Sequence, residues 1–242
     1  MTIQKIRAEI DTIDAEIIKL FEKRIALCGE IAEYKKENGL PIRDEKREKE
    51  KLRTIAELMP AGMRGYGASL YERIFRLSRL RQRLLNGENI VLIGMPGSGK
   101  TTVARALSES LGCESFDSDE LIENNTDETI KDIFVRCGEE AFRKLESDAL
   151  AGLCSRRGVV IATGGGCVTR EVNYPIIKGC GTVVWLRRSL KSLSLEGRPL
   201  SQSRGLVELY SERKPLYEML ADCVVDNDSS VSETVERIIE NV

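Results

Sequence analysis

The chain has 242 residues, 41% of them hydrophobic and 31% charged, with a formal net charge of −2. That length favours about two ordinary domains, and the apolar content, with 20 Gly and 6 Pro, excludes collagen-like, mucin-like and disordered chains. Histidine is absent, which removes Ser-His-Asp and Cys-His nucleophile pairs, His-ligated zinc and imidazole acid–base work.

The remaining chemistry falls to carboxylates, Lys, Arg, backbone amides or a bound ion. Seven cysteines form no C-x-x-C and are odd in number, so reduced thiols of a cytosolic protein are expected. Met1 leads straight into a charged amphipathic pattern, not an export signal. No apolar run approaches the roughly 20 residues that span a bilayer, so no membrane contact and a cytoplasmic location are expected. The acidic balance and 5% aromatic content disfavour a nucleic-acid binder. Charge is uneven: residues 1–88 hold 19 Lys/Arg against 15 Asp/Glu (+4), and residues 89–242 hold 18 against 24 (−6). The first part is thus suited to anions, although an ordinary solvated helical surface has the same balance.

Ile3, Ile6, Ile10, Ile13, Ile17, Leu20 and Ile31 fall on an i, i+3/i+4 stripe, which predicts one long helix over residues 1–36. Asn38-Gly39-Leu40-Pro41 ends it. A second helix is expected from Asp44 to Leu58, a loop from Pro60 to Gly67, and a third helix from Ala68 to Leu85. Asn86-Gly87-Glu88-Asn89 reads as the joint that closes an all-helical domain of residues 1–86.

Within this block Arg24 and Lys35 lie 11 residues apart, within about 20° of the same helix face and about 16 Å apart along the axis. Two long side chains can converge on a small anion from there. Arg7 lies about 25 Å from Arg24 and cannot serve the same ligand from the same helix. Asp44, Arg47 and Glu48 share one face of the second helix, and Ser78 and Gln82 share one face of the third. A polar row facing a helical core is costly unless a ligand or water fills it; solvated faces with surface ion pairs are the plain alternative.

The series Arg7, Arg24, Lys35, Asp44, Arg47, Glu48, Ser78 and Gln82 resembles that of the all-helical chorismate mutases over residues 1–85. The resemblance implies an intertwined homodimer of three-helix chains that rearranges chorismate to prephenate, each site taking Arg7 from the partner. It implies Arg7, Arg24 and Arg47 as carboxylate-binding cations and Lys35 and Gln82 as the catalytic donors to the ether oxygen. Asp44 and Glu48 would meet the hydroxyl, and Ser78 a carboxylate.

Beyond the joint the pattern changes. Ile90–Ile93, Val159–Ala162 and Val183–Leu186 are short apolar runs alternating with helical stretches, which predicts an α/β domain with a parallel sheet over residues 89–242. Gly94-Met95-Pro96-Gly97-Ser98-Gly99-Lys100-Thr101 fits G-x-x-x-x-G-K-[ST] between a strand and a helix predicted over Lys100–Leu111. Its backbone N–H groups and the helix N-terminus cradle phosphates, Lys100 reaches the β/γ oxygens and Thr101 offers a hydroxyl to Mg²⁺. The candidate ATP-binding set is Gly94, Pro96, Gly97, Ser98, Gly99, Lys100, Thr101 and Thr102.

Phe116-Asp117-Ser118-Asp119 stands at the expected end of the second strand. One carboxylate there can serve a metal's water shell and the other a hydroxyl; a helix N-cap pair is the alternative. Gly164, Gly165 and Gly166 follow the Val159–Thr163 run, either a close-approach site for a ligand or a plain turn. Arg143, Arg198 and Arg213 are spread along the chain.

Together these residues resemble shikimate kinase over about residues 89–242. The resemblance implies a five-stranded parallel sheet, a mobile lid, and transfer of the ATP γ-phosphoryl to the 3-hydroxyl of shikimate. It implies Asp119 as the acceptor-activating residue and Asp117 with Thr101 as the Mg²⁺ side. Arg143, Arg213 and Gly164–Gly166 would hold shikimate with Asp119, and Arg198 would be the lid arginine. The stretch Lys191–Glu196 lacks the adenine-packing Arg usual before the lid Arg-Pro-Leu, and Lys191 is a candidate substitute.

The whole chain is thus expected to be multidomain and bifunctional. One alternative makes the helices a catalytically silent dimerisation or sensing module. Another gives the second domain a different small-molecule acceptor.

Overall fold

A computed structural model describes residues 2–193 and 205–242. The chain divides into two compact units, Met1–Asn86 and Gly87–Val242.

The first unit is three helices: α1 (Ile3–Glu37), α2 (Glu45–Leu58) and α3 (Arg64–Leu85). The predicted Pro60–Gly67 loop is largely absent. A 3-10 turn at Ala61–Met63 runs straight into α3, which starts four residues ahead of Ala68. Gly67 reads as a loop residue but lies buried inside α3, where a Cβ would sit 3.2 Å from Ile55 Cγ2 of α2 and push the Met59 side chain aside, so its bare backbone eases the approach of α3 to α2. The interior is small, with Cys28, Ala32, Ile55, Phe75, Leu80 and Leu84 buried. The α1 stripe is not part of it: Ile10, Ile13, Ile17 and Leu20 are 50–67% exposed.

The second unit is built on five strands, β1 (Asn89–Ile93), β2 (Ser115–Asp117), β3 (Val160–Ala162), β4 (Gly181–Arg187) and β5 (Cys223–Asp226). Their order is β2-β3-β1-β4-β5, and every pairing is parallel. Every residue of β1 is buried, as a central strand covered on both faces must be. Between and after the strands run α4 (Lys100–Leu111), α5 (Ser118–Thr126), α6 (Ile130–Cys154), α7 (Tyr174–Cys180), α8 (Leu206–Leu220) and α9 (Val231–Asn241). Val91, Ile93, Ile161, Val183 and Trp185 form the core with Leu150, Leu153 and Leu209, and Trp185 stacks on Tyr217 at 5.6 Å. All seven cysteines are free, and no described helix is long and apolar enough to cross a membrane.

Candidate functional sites

In the helical unit a cavity of about 200 Å³ is lined by Arg24, Lys35, Asp44, Arg47, Glu48, Ser78 and Gln82, from all three helices and the turn before α2. Arg24 donates through Nη1 to Ser78 Oγ, and Ser78 in turn donates to Ile74 O at 2.6 Å. Lys35 crosses from α1 to the α1–α2 turn, where its Nζ donates to Ile42 O at 2.5 Å. Asp44 caps α2 by accepting from Arg47 N at 2.9 Å. Gln82 Nε2 donates to Ser78 O at 3.2 Å, and its buried Oε1 has no hydrogen-bond partner. Arg7 is exposed on α1 and does not line the cavity. The same walls carry Lys51, Phe75 and Arg79, which the sequence did not single out.

In the second unit the phosphate loop follows β1, the centre of the sheet, and runs into α4. Gly94, Gly97 and Gly99 have φ of 150°, 80° and 89°, values that open the loop and that side chains resist. The Lys100 ammonium is buried and donates to Gly94 O and Met95 O, both at 2.9 Å. Thr102 is exposed in the first turn of α4. Ser98 is fully buried, and its Oγ has no hydrogen-bond partner. Behind the loop Asn227 Nδ2 donates to Ser98 O at 2.7 Å, while its Oδ1 accepts from Thr234 Oγ1 at 2.7 Å.

Of the Asp117–Asp119 pair, one carboxylate is a helix N-cap. Asp117 is the N-cap of α5, its Oδ1 accepting from Asp119 N at 2.8 Å and Glu120 N at 3.4 Å. Its Oδ2 accepts from Thr101 Oγ1 at 2.5 Å, beside the phosphate loop. Asp119 points elsewhere: a Cβ on Gly164 would lie 2.5 Å from Asp119 Oδ1 and 2.5 Å from Glu146 Oε1.

Gly164–Gly166 is no plain turn. A Cβ on Gly165 would meet Pro96 of the phosphate loop at 2.7 Å, and one on Gly166 would meet Arg143 Nη1 at 2.0 Å. The Gly165 carbonyl accepts from Arg213 Nη1 and Tyr217 Oη, both at 2.8 Å. The three glycines therefore gather Asp119, Arg143, Arg213 and the phosphate loop into one place.

Arg143 is buried and paired with Glu146 at 2.9 Å and Glu139 at 3.2 Å. Burial opposes its charge, yet the two carboxylates outweigh that and hold its pKa above the usual value. Burial pushes the Glu146 carboxyl upward, against the pull of Arg143, Arg213 and Lys100. It likewise pushes the Cys167 thiol up to about 12, which leaves that thiol protonated and inert at neutral pH. Arg213 Nε is buried without a hydrogen-bond partner.

Lys191 lies exposed in a 3-10 turn, Leu190–Ser192. It does not line the cavity of about 420 Å³ at the ends of β4 and β5, where Arg188 stands with Tyr210, Asp226 and Asp228. Arg198 lies outside the described residues.

Residues 96–242 match the family model for shikimate kinase. The chain belongs to the shikimate kinase family. The shikimate kinases of Thioalkalivibrio sulfidiphilus and Moorella thermoacetica are each 41% identical to it over 160 residues. Those alignments span 62% and 63% of this chain, and 84% and 92% of the relatives. Among solved structures, the shikimate kinase of Acinetobacter baumannii in complex with shikimate is 35% identical, with a TM-score of 0.58, covering 63% of this chain and 91% of that one. That of Aquifex aeolicus is also 35% identical, with a TM-score of 0.56 and coverages of 63% and 94%. Enzymes of this family use ATP as a substrate. Residues 6–83 match the family model for chorismate mutase type II. The shikimate kinase family member therefore also carries a chorismate mutase region, and the pair makes it a bifunctional enzyme of aromatic biosynthesis.

Proposed function

We propose that the two reactions run in two pockets, chorismate to prephenate in the cavity of the helical unit and phosphorylation of the shikimate 3-hydroxyl at the Gly164–Gly166 turn. The observation that carries this reading is the convergence at that turn of a carboxylate, two guanidinium groups and a phosphate loop. A carboxylate with three hydroxyls is the acceptor such a set suits. Arg143 and Arg213 offer bidentate hydrogen bonds to its carboxylate, and Asp119 accepts the proton of the attacking hydroxyl.

Lys100 and the loop amides hold the triphosphate and stabilise charge on the transferring phosphoryl, with Arg198 as the lid cation. The oxygens of Thr101 and Asp117 are hard donors that fit Mg²⁺, which when bound would neutralise charge on the phosphate oxygens. Catalysis is then mostly positioning and electrostatics, and no imidazole is needed.

The mutase reaction moves no proton. The cavity must hold the substrate in a compact conformation and stabilise negative charge growing on the ether oxygen. Arg24 and Arg47, with Arg7 of a second copy, take the carboxylates, and Ser78 supports one of them. Asp44 and Glu48 meet the hydroxyl. Lys35 and the second N–H of Gln82 Nε2 reach the ether oxygen. The exposed isoleucines of α1 support a homodimer, since an apolar stripe of that length is covered in a soluble protein. The enzyme acts in the cytoplasm, as its reduced cysteines suit.

The test is a paired assay of the purified chain, with ATP plus a panel of acceptors in one arm and chorismate alone in the other. Phosphorylation of gluconate or a nucleoside monophosphate but not shikimate contradicts the kinase assignment. Chorismate left unconverted contradicts the mutase assignment and favours a silent helical module.

A further inference from the structure

The mutase cavity holds an ion pair that joins two of its helices. Arg79 on α3 places Nη1 2.5 Å from Glu48 Oε1 on α2, and both side chains line the cavity. Both are about three-quarters buried, at 25% and 21% exposed. The pairs Arg43–Glu45 and Arg47–Glu50, by contrast, join neighbours along one segment, and their side chains are about half or more exposed.

The chemistry of the cavity makes this pair matter. Asp44 and Glu48 stand one turn apart, i and i+4, on the same wall. Two carboxylates at that spacing repel each other, and a dicarboxylate ligand adds two more negative charges. A guanidinium on the facing helix anchors one oxygen of Glu48 and offsets its charge, which leaves the other oxygen to accept a hydroxyl hydrogen bond.

From this geometry we infer that Arg79 is a positioning residue of the mutase: it holds the Glu48 carboxylate in the cavity so that Glu48 engages the substrate hydroxyl. The inference rests on the mutase reading of the cavity. It assigns Arg79 no contact with the reacting atoms, so its effect passes through Glu48 alone.

The experiment is a double-mutant cycle on the full-length chain, with kcat and KM for chorismate, thermal unfolding and kinase activity measured for each variant. Arg79→Ala should lower mutase kcat/KM by about 10-fold, the scale of one lost charge-assisted hydrogen bond. Arg79→Lys should recover most of that loss. In a Glu48→Gln background, Arg79→Ala should change kcat/KM by less than about 3-fold, because the group it positions is already altered. A merely structural role would lower the melting temperature in both backgrounds and give losses that multiply. Multiplying losses, or full activity in Arg79→Ala, overturns the inference while the mutase reading stands. A wild-type chain inert on chorismate overturns both.

Discussion

Thr101 Oγ1 stands 2.5 Å from Asp117 Oδ2, so a hydroxyl in the first turn of α4 meets a carboxylate at the end of β2 beside the phosphate loop. The other oxygen of Asp117 caps α5. One side chain thus links the first turn of α4, after the phosphate loop, to the helix that carries Asp119.

These two tasks can be separated. Asparagine retains a capping oxygen but loses the charge. Asp117→Asn should leave the fold intact, lower the kinase rate by about 10-fold or more and raise the Mg²⁺ concentration needed for half-maximal rate. Initial rates against Mg²⁺ concentration check it, with mutase activity as the unaffected control.

Gly166→Ala tests the crowding at the glycine turn. The added Cβ would fall 2.0 Å from Arg143 Nη1, and Arg143 cannot swing clear without breaking its buried ion pair with Glu146. The expected result is a loss of about 10-fold or more in kcat/KM for shikimate, a much smaller change in KM for ATP, and an unchanged mutase rate.

Asn227→Ala removes the brace behind the phosphate loop and leaves Ser98 O without its donor. The expected cost is about 1–3 kcal/mol, read as a lower midpoint for unfolding of the second unit, together with a raised KM for ATP. Unchanged stability would mean that the loop holds its shape without α9 and its Thr234.

The α1 stripe carries its own prediction. Ile13 and Ile17 are 55% and 56% exposed and lie one turn apart. Glutamates at both positions should yield a monomer by light scattering and lower the mutase rate by at least about 10-fold, because Arg7 then reaches no second site. Kinase activity should persist.

What was legible in the sequence was local. The phosphate loop and the helix after it occupy one continuous stretch, so motif and flanks located α4 at Lys100–Leu111 without error. Helical spacing put Arg24 with Lys35, Asp44 with Arg47 and Glu48, and Ser78 with Gln82, and the resemblance joined these groups into the one set that lines the cavity. Contacts made across the fold were not legible. Arg79 is one arginine among many on α3 until Glu48, 31 residues earlier, is seen opposite it. Asn227 braces a carbonyl 129 residues away, and Tyr217 bonds to one 52 residues away. Glu146 sits in a helical stretch rich in charge, and only its burial beside Arg143 marks it. Gly67 sits inside a helix despite being a helix-breaking residue, because the residue that breaks helices also lets them approach.

The account rests on fixed cations and backbone amides working in two separate pockets of one chain. The most direct measurement is a crossed assay of two variants, Lys35→Ala and Asp119→Asn, each tested for both activities. Lys35→Ala should abolish chorismate turnover and leave shikimate phosphorylation nearly intact, and Asp119→Asn should do the reverse. If either substitution eliminates both activities in a protein that stays folded, the two sites are coupled and the account is wrong.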